Sequence, residues 1–517
     1  MSTSWIPSWF TDLFNTGFTL PEGIPWLSLL LLIPLIGAIV TVLIRGKGKG
    51  AKYCAAAFSL VTMILGLMIY FFSDLTSLSE QTAWIDILGF KMNYALGIDG
   101  LSILMVELTA LLVFLCVIFT KETERPNLFF AMLLAMEVGL MGVYMAQDYF
   151  LFYIFWEITL IPMFFMISWF GGPRRHYASI KFLIYTHVAS LVMLIGIFAL
   201  VFQAGAATGV IDFSFAAVNS AAAAGIFTGG FQTLVFGLMF FGFAVKMPIV
   251  PFHTWLPDAH VEAPTAGSVL LAAVMLKMGS YGIIRICLGP ALIDAAIDWQ
   301  WIMIAIALIS IIYGAYACIA QKDLKKMIAF SSISHMGMVM LGIAMLSETG
   351  LMFAIFQMFA HGLITAVLFM VCGIAGHNAG TREIPLLGGL AGKMPKFAGF
   401  MMFGFMASLG LPGLVGFVAE FGIIFSFYEF LDGEGMIWMI AICLLGLMLT
   451  AGYYIWAMQR TLFGRETKKI DMTKVHDINK AEVAVLTVLC FLIVFFGVMP
   501  SLITDIITPF VTGVVFI

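Results

Sequence analysis

Charge is scarce in this sequence. Of its 517 residues only 10% are Asp, Glu, Lys or Arg and 62% are hydrophobic, against roughly 25% charged and 45–50% apolar in an ordinary globular domain. A soluble enzyme or soluble binding domain is therefore excluded, and no nucleic-acid partner is expected. Clustered cysteines are also missing. The seven cysteines, at 54, 116, 287, 318, 372, 443 and 490, stand singly with no CxxC and no Cys/His cluster, which speaks against a disulfide framework and an iron–sulfur centre. No flavin, quinone or nucleotide motif is present, so no cofactor is expected in this chain. Nor does a basic stretch open the chain: MSTSWIPSWFTDLFNTGF (1–18) is rich in Trp and Phe and reads as an interfacial segment rather than a cleaved signal peptide.

What the sequence has instead is length of apolar run. Stretches able to span about 30 Å of hydrocarbon occur near 26–44, 53–72, 100–120, 127–146, 149–170, 179–204, 231–248, 265–289, 299–320, 324–346, 350–376, 397–428, 436–459 and 481–508. The reading is an all-α polytopic membrane protein of about fourteen transmembrane helices. The seventh is interrupted by Pro248 and Pro251 and the twelfth by Leu411-Pro412-Gly413. The loops on one side hold 21 of the 25 basic residues. The other side has only Lys91 and the helix-end Arg285, and Lys246 and Lys277 lie within spans. The positive-inside rule then puts both termini outside and the basic loops in the cytoplasm or its equivalent.

Those two lysines mark the centre of the problem. They sit in AVKMPIVPFHTWLPDAHVEAPTAGSVLLAAVMLKMGSYG, 244–282, and a charge at mid-membrane costs roughly 3 kcal/mol or more, so it is normally partnered and functional. The prolines after Lys246 break the helix, and a broken helix beside a buried ion is a sign of a transport site. Glu107, Glu137, Glu157 and Glu420 are the acidic residues inside spans, joined by His187, His335 and His361. Glu157 is flanked by apolar sequence on both sides, so an opposite charge is its expected stabiliser. Glu107 is near a span end and reads as interfacial or functional; Glu137 is near mid-span. His335 and His361 sit among small residues and hydroxyls, as a proton relay would require, whereas His187 reads as a satisfied core histidine.

Glu420 follows a second proline-broken stretch, MASLGLPGLVGFVAEF. Lys246 and Glu420 are 174 residues apart, and Glu157 and His335 are 178 apart. Two five-helix units, spans four to eight and nine to thirteen, would place titratable groups at corresponding positions, and the odd number of spans would invert the second copy. The expected divisions are 1–126 (helices one to three), 127–289 (first repeat), 299–463 (second repeat) and 481–517 (a last helix).

The segments LGIDGLSILMVELTALL (96–112), FYIFWEITLIPMFFMISWFGG (152–172), YASIKFLIYT (177–186), 244–282, DLKKMIAFSSISHMGMV (323–339) and ASLGLPGLVGFVAEF (407–421) resemble the antiporter-like proton-pumping subunits of respiratory complex I, most closely the M type. The resemblance covers nearly the whole chain. Sister subunits usually carry lysine where Glu420 stands, and M types carry glutamate. The resemblance implies a proton path in which Glu157 pairs with Lys246, Lys277 continues inward to His335 and His361, and Glu420 is the exit-side group. Glu107 and Glu137 would serve lateral coupling near the interface with a neighbour. It further implies neighbouring antiporter-like subunits and a peripheral redox arm as partners, which would carry FMN or another donor site, iron–sulfur clusters and quinone. A D subunit of a multi-subunit Mrp-type Na+/H+ antiporter shares the fold and is the alternative.

Overall fold

The computed structural model describes residues 20–514, apart from 22, 45–48, 74, 76, 77, 88, 122, 433, 434, 465, 467 and 468. The interfacial segment expected over 1–18 lies outside the described residues.

Apolar sequence without water must satisfy its own backbone, and here it does so as helix. In chain order come α1 (Trp26–Leu43), α2 (Gly50–Phe72), α3 (Gly100–Phe119), α4 (Pro126–Met145), α5 (Tyr149–Phe170), α6 (Arg175–Thr208) and the short α7 (Phe215–Ala223). Next are α8 (Gly229–Lys246), α9 (Leu256–Glu262), α10 (Thr265–Cys287), α11 (Ile293–Asp298), α12 (Gln300–Ile319), α13 (Leu324–Ala344) and α14 (Glu348–Asn378). The broken pair α15 (Pro395–Ser408) and α16 (Val415–Asp432), then α17 (Ile437–Thr461), α18 (Lys480–Val498) and α19 (Ser501–Thr512), complete the chain. Thirteen of these are long and apolar enough to cross a membrane. The fourteenth expected span is the broken pair, of which α15 is too short alone and α16 carries three carboxylates, Glu420, Glu429 and Asp432.

One expectation needs correction. The last span is not one helix over 481–508, because Met499-Pro500 separates α18 from α19. The membrane body is helical as expected, and a small sheet accompanies it: Ser79–Ile87 (β1) and Phe90–Gly97 (β2) form an antiparallel hairpin, and Ile211–Asp212 (β3) pairs parallel to β2. Alternating side chains at the rim suit a strand, and at the water boundary an exposed sheet edge carries no hydrocarbon penalty.

Acidic residues between spans act as helix caps. Asp99, Asp148 and Asp323 each accept two backbone N–H groups at the start of α3, α5 and α13, satisfying donors that the first helical turn leaves free. Asp99 also meets Arg285 of α10 at 2.6 Å. Burial pushes its carboxyl upward, but the Arg285 guanidinium and hydrogen bonds from Ser102 outweigh this and hold it below the usual carboxylate range. Arg285 further lies 5.0 Å from the Phe510 ring of α19, so one side chain ties three helices. Arg285→Ala leaves the Asp99 carboxylate without its counter-ion and should cost about 1–3 kcal/mol, seen as a lower Tm of the purified protein.

At the centre lie α10, α13 and α14, enclosed on all sides. α10 is not uniformly α-helical: Leu271–Met275 and Ile283–Cys287 are π turns, one on either side of Leu276–Gly282. Gly279 lets this helix touch the end of α8, since a Cβ there would fall 2.6 Å from both Met247 N and Phe243 O.

Candidate functional site

α8 stops at Lys246, and the chain resumes helix only at Leu256. Lys246 is thus the last helical residue before the proline break, 1% exposed. Its Nζ meets no hydrogen-bond partner among the described residues. It lies 5.5 Å from the Trp156 ring and 5.8 Å from the Phe182 ring, where the ring quadrupoles attract a cation. The expected Glu157–Lys246 ion pair is therefore not formed. Glu157 Oε2 is instead 2.9 Å from His187 Nδ1 on α6, and Oε1 is buried without a partner. His187 is not a satisfied core histidine, because its side chain is 48% exposed.

Lys277, fully buried, sits between the two π turns of α10. A π turn widens the helix and frees carbonyls from the usual ladder, which is why such turns recur at functional sites. Two of those carbonyls are in use: Ala272 O accepts from Lys277 Nζ at 2.6 Å, and Val274 O accepts from the Tyr144 hydroxyl at 2.8 Å. Lys277 Nζ also reaches His361 Nδ1 of α14 at 2.7 Å. The His361 ring centroid is 5.3 Å from that of His335 on α13, and His335 Nδ1 is 2.8 Å from Glu420 Oε1 on α16. The order is therefore Lys277, His361, His335, Glu420, with the two histidines exchanged relative to the order expected. The line continues sideways: His335 Nε2 is 3.2 Å from the Ser408 hydroxyl, which lies 2.8 Å from the Tyr454 hydroxyl, which donates to Ser331 at 3.0 Å.

Glu107 and Glu137 stand apart from this line. Glu107 Oε1 has no partner and occupies the space left by Gly66 of α2. Glu137 is 0% exposed with both oxygens unpartnered. Because α1, α2, α3 and α5 enclose α4, Glu137 lies inside the chain and not on an outer face where a neighbour would touch it.

Sequence reasoning passed over three groups. His260 on α9 is fully buried with both ring nitrogens unpartnered, stacked 4.6 Å from Phe369; the motif PDAHVEAPT contained it. Lys325, counted among the loop lysines, is 2% exposed and donates to the carbonyl of Ala263. It lines an open cavity of about 510 Å³ at the basic-loop side with Glu262, Asp323 and Arg382. Tyr454 gave no sign, being one aromatic in an apolar span.

Fold and site together define a many-helix membrane protein whose interior holds a continuous line of titratable side chains. The chain belongs to the NADH:quinone oxidoreductase/Mrp antiporter membrane family, whose model matches residues 146–450. It is 44% identical to the F(420)H(2) dehydrogenase subunit M of Methanosarcina mazei, over 93% of this chain and 96% of that one. To the NADH-quinone oxidoreductase subunit M of Rhodobacter capsulatus it is 39% identical, over 95% and 96%. Among solved structures it is similar to a chain of respiratory complex I from Thermus thermophilus, with TM-score 0.82 and 26% identity over 94% of this chain and 99% of that one. The fold is shared by the Mrp complex from Dietzia at TM-score 0.80, 20% identity, 95% of this chain and 97% of that one.

Proposed function

We propose that this chain is the proton-translocating membrane subunit of a complex I-like oxidoreductase, a translocase part with no redox site of its own. The observation that carries the reading is the buried line Lys277–His361–His335–Glu420, in which each group faces the next across α10, α14, α13 and α16. Lysine, imidazole and carboxylate can each hold and release a proton, and burial beside one another makes each group's charge depend on its neighbour's. Moving a charge across the membrane works against roughly 2.3 kcal/mol per 100 mV. Partner subunits supply that energy: a peripheral arm carrying FMN or another donor site, iron–sulfur clusters and quinone, with the signal arriving through neighbouring antiporter-like subunits and engaging Glu107 and Glu137. The M-subunit relatives, one named for F(420)H(2) and one for NADH, support an electron-transfer partner over an antiporter one. Both termini lie on the outer side, and the cavity at Lys325 opens toward the cytoplasm or its equivalent.

The test is proton pumping in inverted membrane vesicles containing the intact complex. Lys246→Ala should lower pumping by at least about tenfold, the scale of a lost proton-transfer group, and slow electron transfer in parallel. Full pumping in that variant would remove Lys246 from the mechanism. Proton movement that requires sodium and ignores electron donors would favour the Mrp-type alternative.

A further inference from the structure

The starts of corresponding helices in the two units keep a nearly constant spacing: 126 and 300 for α4 and α12, 149 and 324 for α5 and α13, 175 and 348 for α6 and α14. At a spacing of 174 residues His187 falls on His361, the histidine that contacts Lys277. The same spacing puts Glu157 on Ser331. Lys246, before its helix break, does not match Glu420, which follows the second break; Ser408, the last residue of α15, takes the place of Lys246. The connection ahead of the broken helix is shorter in the second unit, 379–394 against 209–228, which shifts everything after it. The residue pairs first matched by sequence distance are thus replaced by a histidine pair, and His187 holds its place in the first unit as His361 does in the second.

Three observations meet at this position. His187 Nδ1 binds one carboxylate oxygen of Glu157. The other oxygen is buried and unpartnered, and Lys246 Nζ is buried and unpartnered as well. Glu157 therefore has two stations, an outer one on His187 and an inner one toward Lys246, and the structure shows the outer one filled. The other titratable group beside it is Tyr153 on its own helix; on α6, Tyr185 is bonded to Thr254 and Lys181 to Asp258. None of these others offers a cation to the carboxylate.

We propose that His187 is a positioning residue that controls which station Glu157 occupies, and so gates the first-unit lysine; this deepens the proton-translocation reading and rests on it. As the imidazolium, His187 donates Nδ1–H to the Glu157 carboxylate and holds it outward by charge and hydrogen bond together. When a proton leaves the imidazolium, the charge attraction ends and the carboxylate is free to turn to the Lys246 ammonium. The balance is one proton: it passes from Nε2 of the half-exposed ring to a water molecule, giving hydronium, and no other covalent bond is made or broken. Protons moved per electron should then be lower while His187 carries a charge and higher once it is neutral.

The experiment uses the intact complex in proteoliposomes, measuring protons moved per electron from pH 5.5 to 8.5 in wild type, His187→Gln, His187→Arg and Lys246→Ala. Glutamine keeps a hydrogen-bond donor but cannot titrate, so that ratio should lose its pH dependence while staying within about twofold of wild type at neutral pH. Arginine is a permanent cation, so the ratio should be low throughout. If either histidine variant keeps the wild-type pH dependence, the gating role is refuted; should one fail to assemble, the other decides. If Lys246→Ala pumps fully, the translocation reading itself fails, an outcome distinct from failure at His187.

Discussion

Replacing Lys277 by methionine should abolish proton pumping, by about a hundredfold or more on the scale of lost proton-transfer groups, in a complex that still assembles. The two halves of that expectation have different causes. Lys277 is the link between α10 and the histidines, held by Ala272 O at 2.6 Å and facing His361 Nδ1 at 2.7 Å. Methionine has similar length and no proton to pass on. For stability, the variant orphans one carbonyl and one ring nitrogen, at about 1–3 kcal/mol each. It also removes the need to bury an amine, and replacing buried polar groups by apolar ones of similar volume is often neutral. Folding and pumping should therefore separate. Pumping and Tm measured on the same preparation check this: a methionine variant that pumps normally would break the line at its middle, and one that merely unfolds would say nothing for the relay.

No such separation is expected at Gly279, where stability and pumping should fall together. A Cβ there meets Met247 N and Phe243 O at 2.6 Å, and both are backbone atoms that cannot rotate away. Gly279→Val therefore drives α10 from the end of α8, where overpacking costs typically about 1–3 kcal/mol and more when backbone must move. Close helix contact through a small residue is a main source of cohesion in membranes. Because α8 ends at Lys246, the displacement also moves the ammonium from the Trp156 and Phe182 rings. The complex should show a lowered Tm, or poor assembly, together with loss of pumping. Gly452→Val serves as control, since nothing lies within 4 Å of a Cβ there. Equal Tm values for the two would refute the steric argument.

Much of this architecture could be read without coordinates, because hydrocarbon imposes so few solutions. Apolar runs of the right length became helices with ends moved by a few residues, and the lone charges inside them, Lys246, Lys277 and Glu420, are all buried. Lys277, the two histidines and Glu420 do come together. What sequence could not give was partner choice. The resemblance pairs Glu157 with Lys246, yet in the structure Glu157 Oε2 binds His187 and Lys246 lies beside two aromatic rings. His187 looked inert for want of a charged residue beside it in the chain, and its partner is thirty residues away on the next helix. Lys325 looked solvated because it follows Lys322 and precedes Lys326, although it opens a helix that turns it inward. The β1–β2 hairpin gave no sign among the apolar runs because its strands, Ser79–Ile87 and Phe90–Gly97, are short and mix polar with apolar residues.

The π turns of α10 leave a geometric legacy. Each fits one more residue into a turn than the ordinary helix does, so the segment Leu276–Gly282 is rotated relative to the flanking helix by the angle of one residue, about 100°. Lys277 faces His361 on account of that offset, and Arg285 faces Asp99 after a second one. The helix thus works like a combination dial with two stops. Deleting a single residue within 271–275 would leave every span, cap and charge described here intact and yet turn Lys277 away from the His361 imidazole that it contacts.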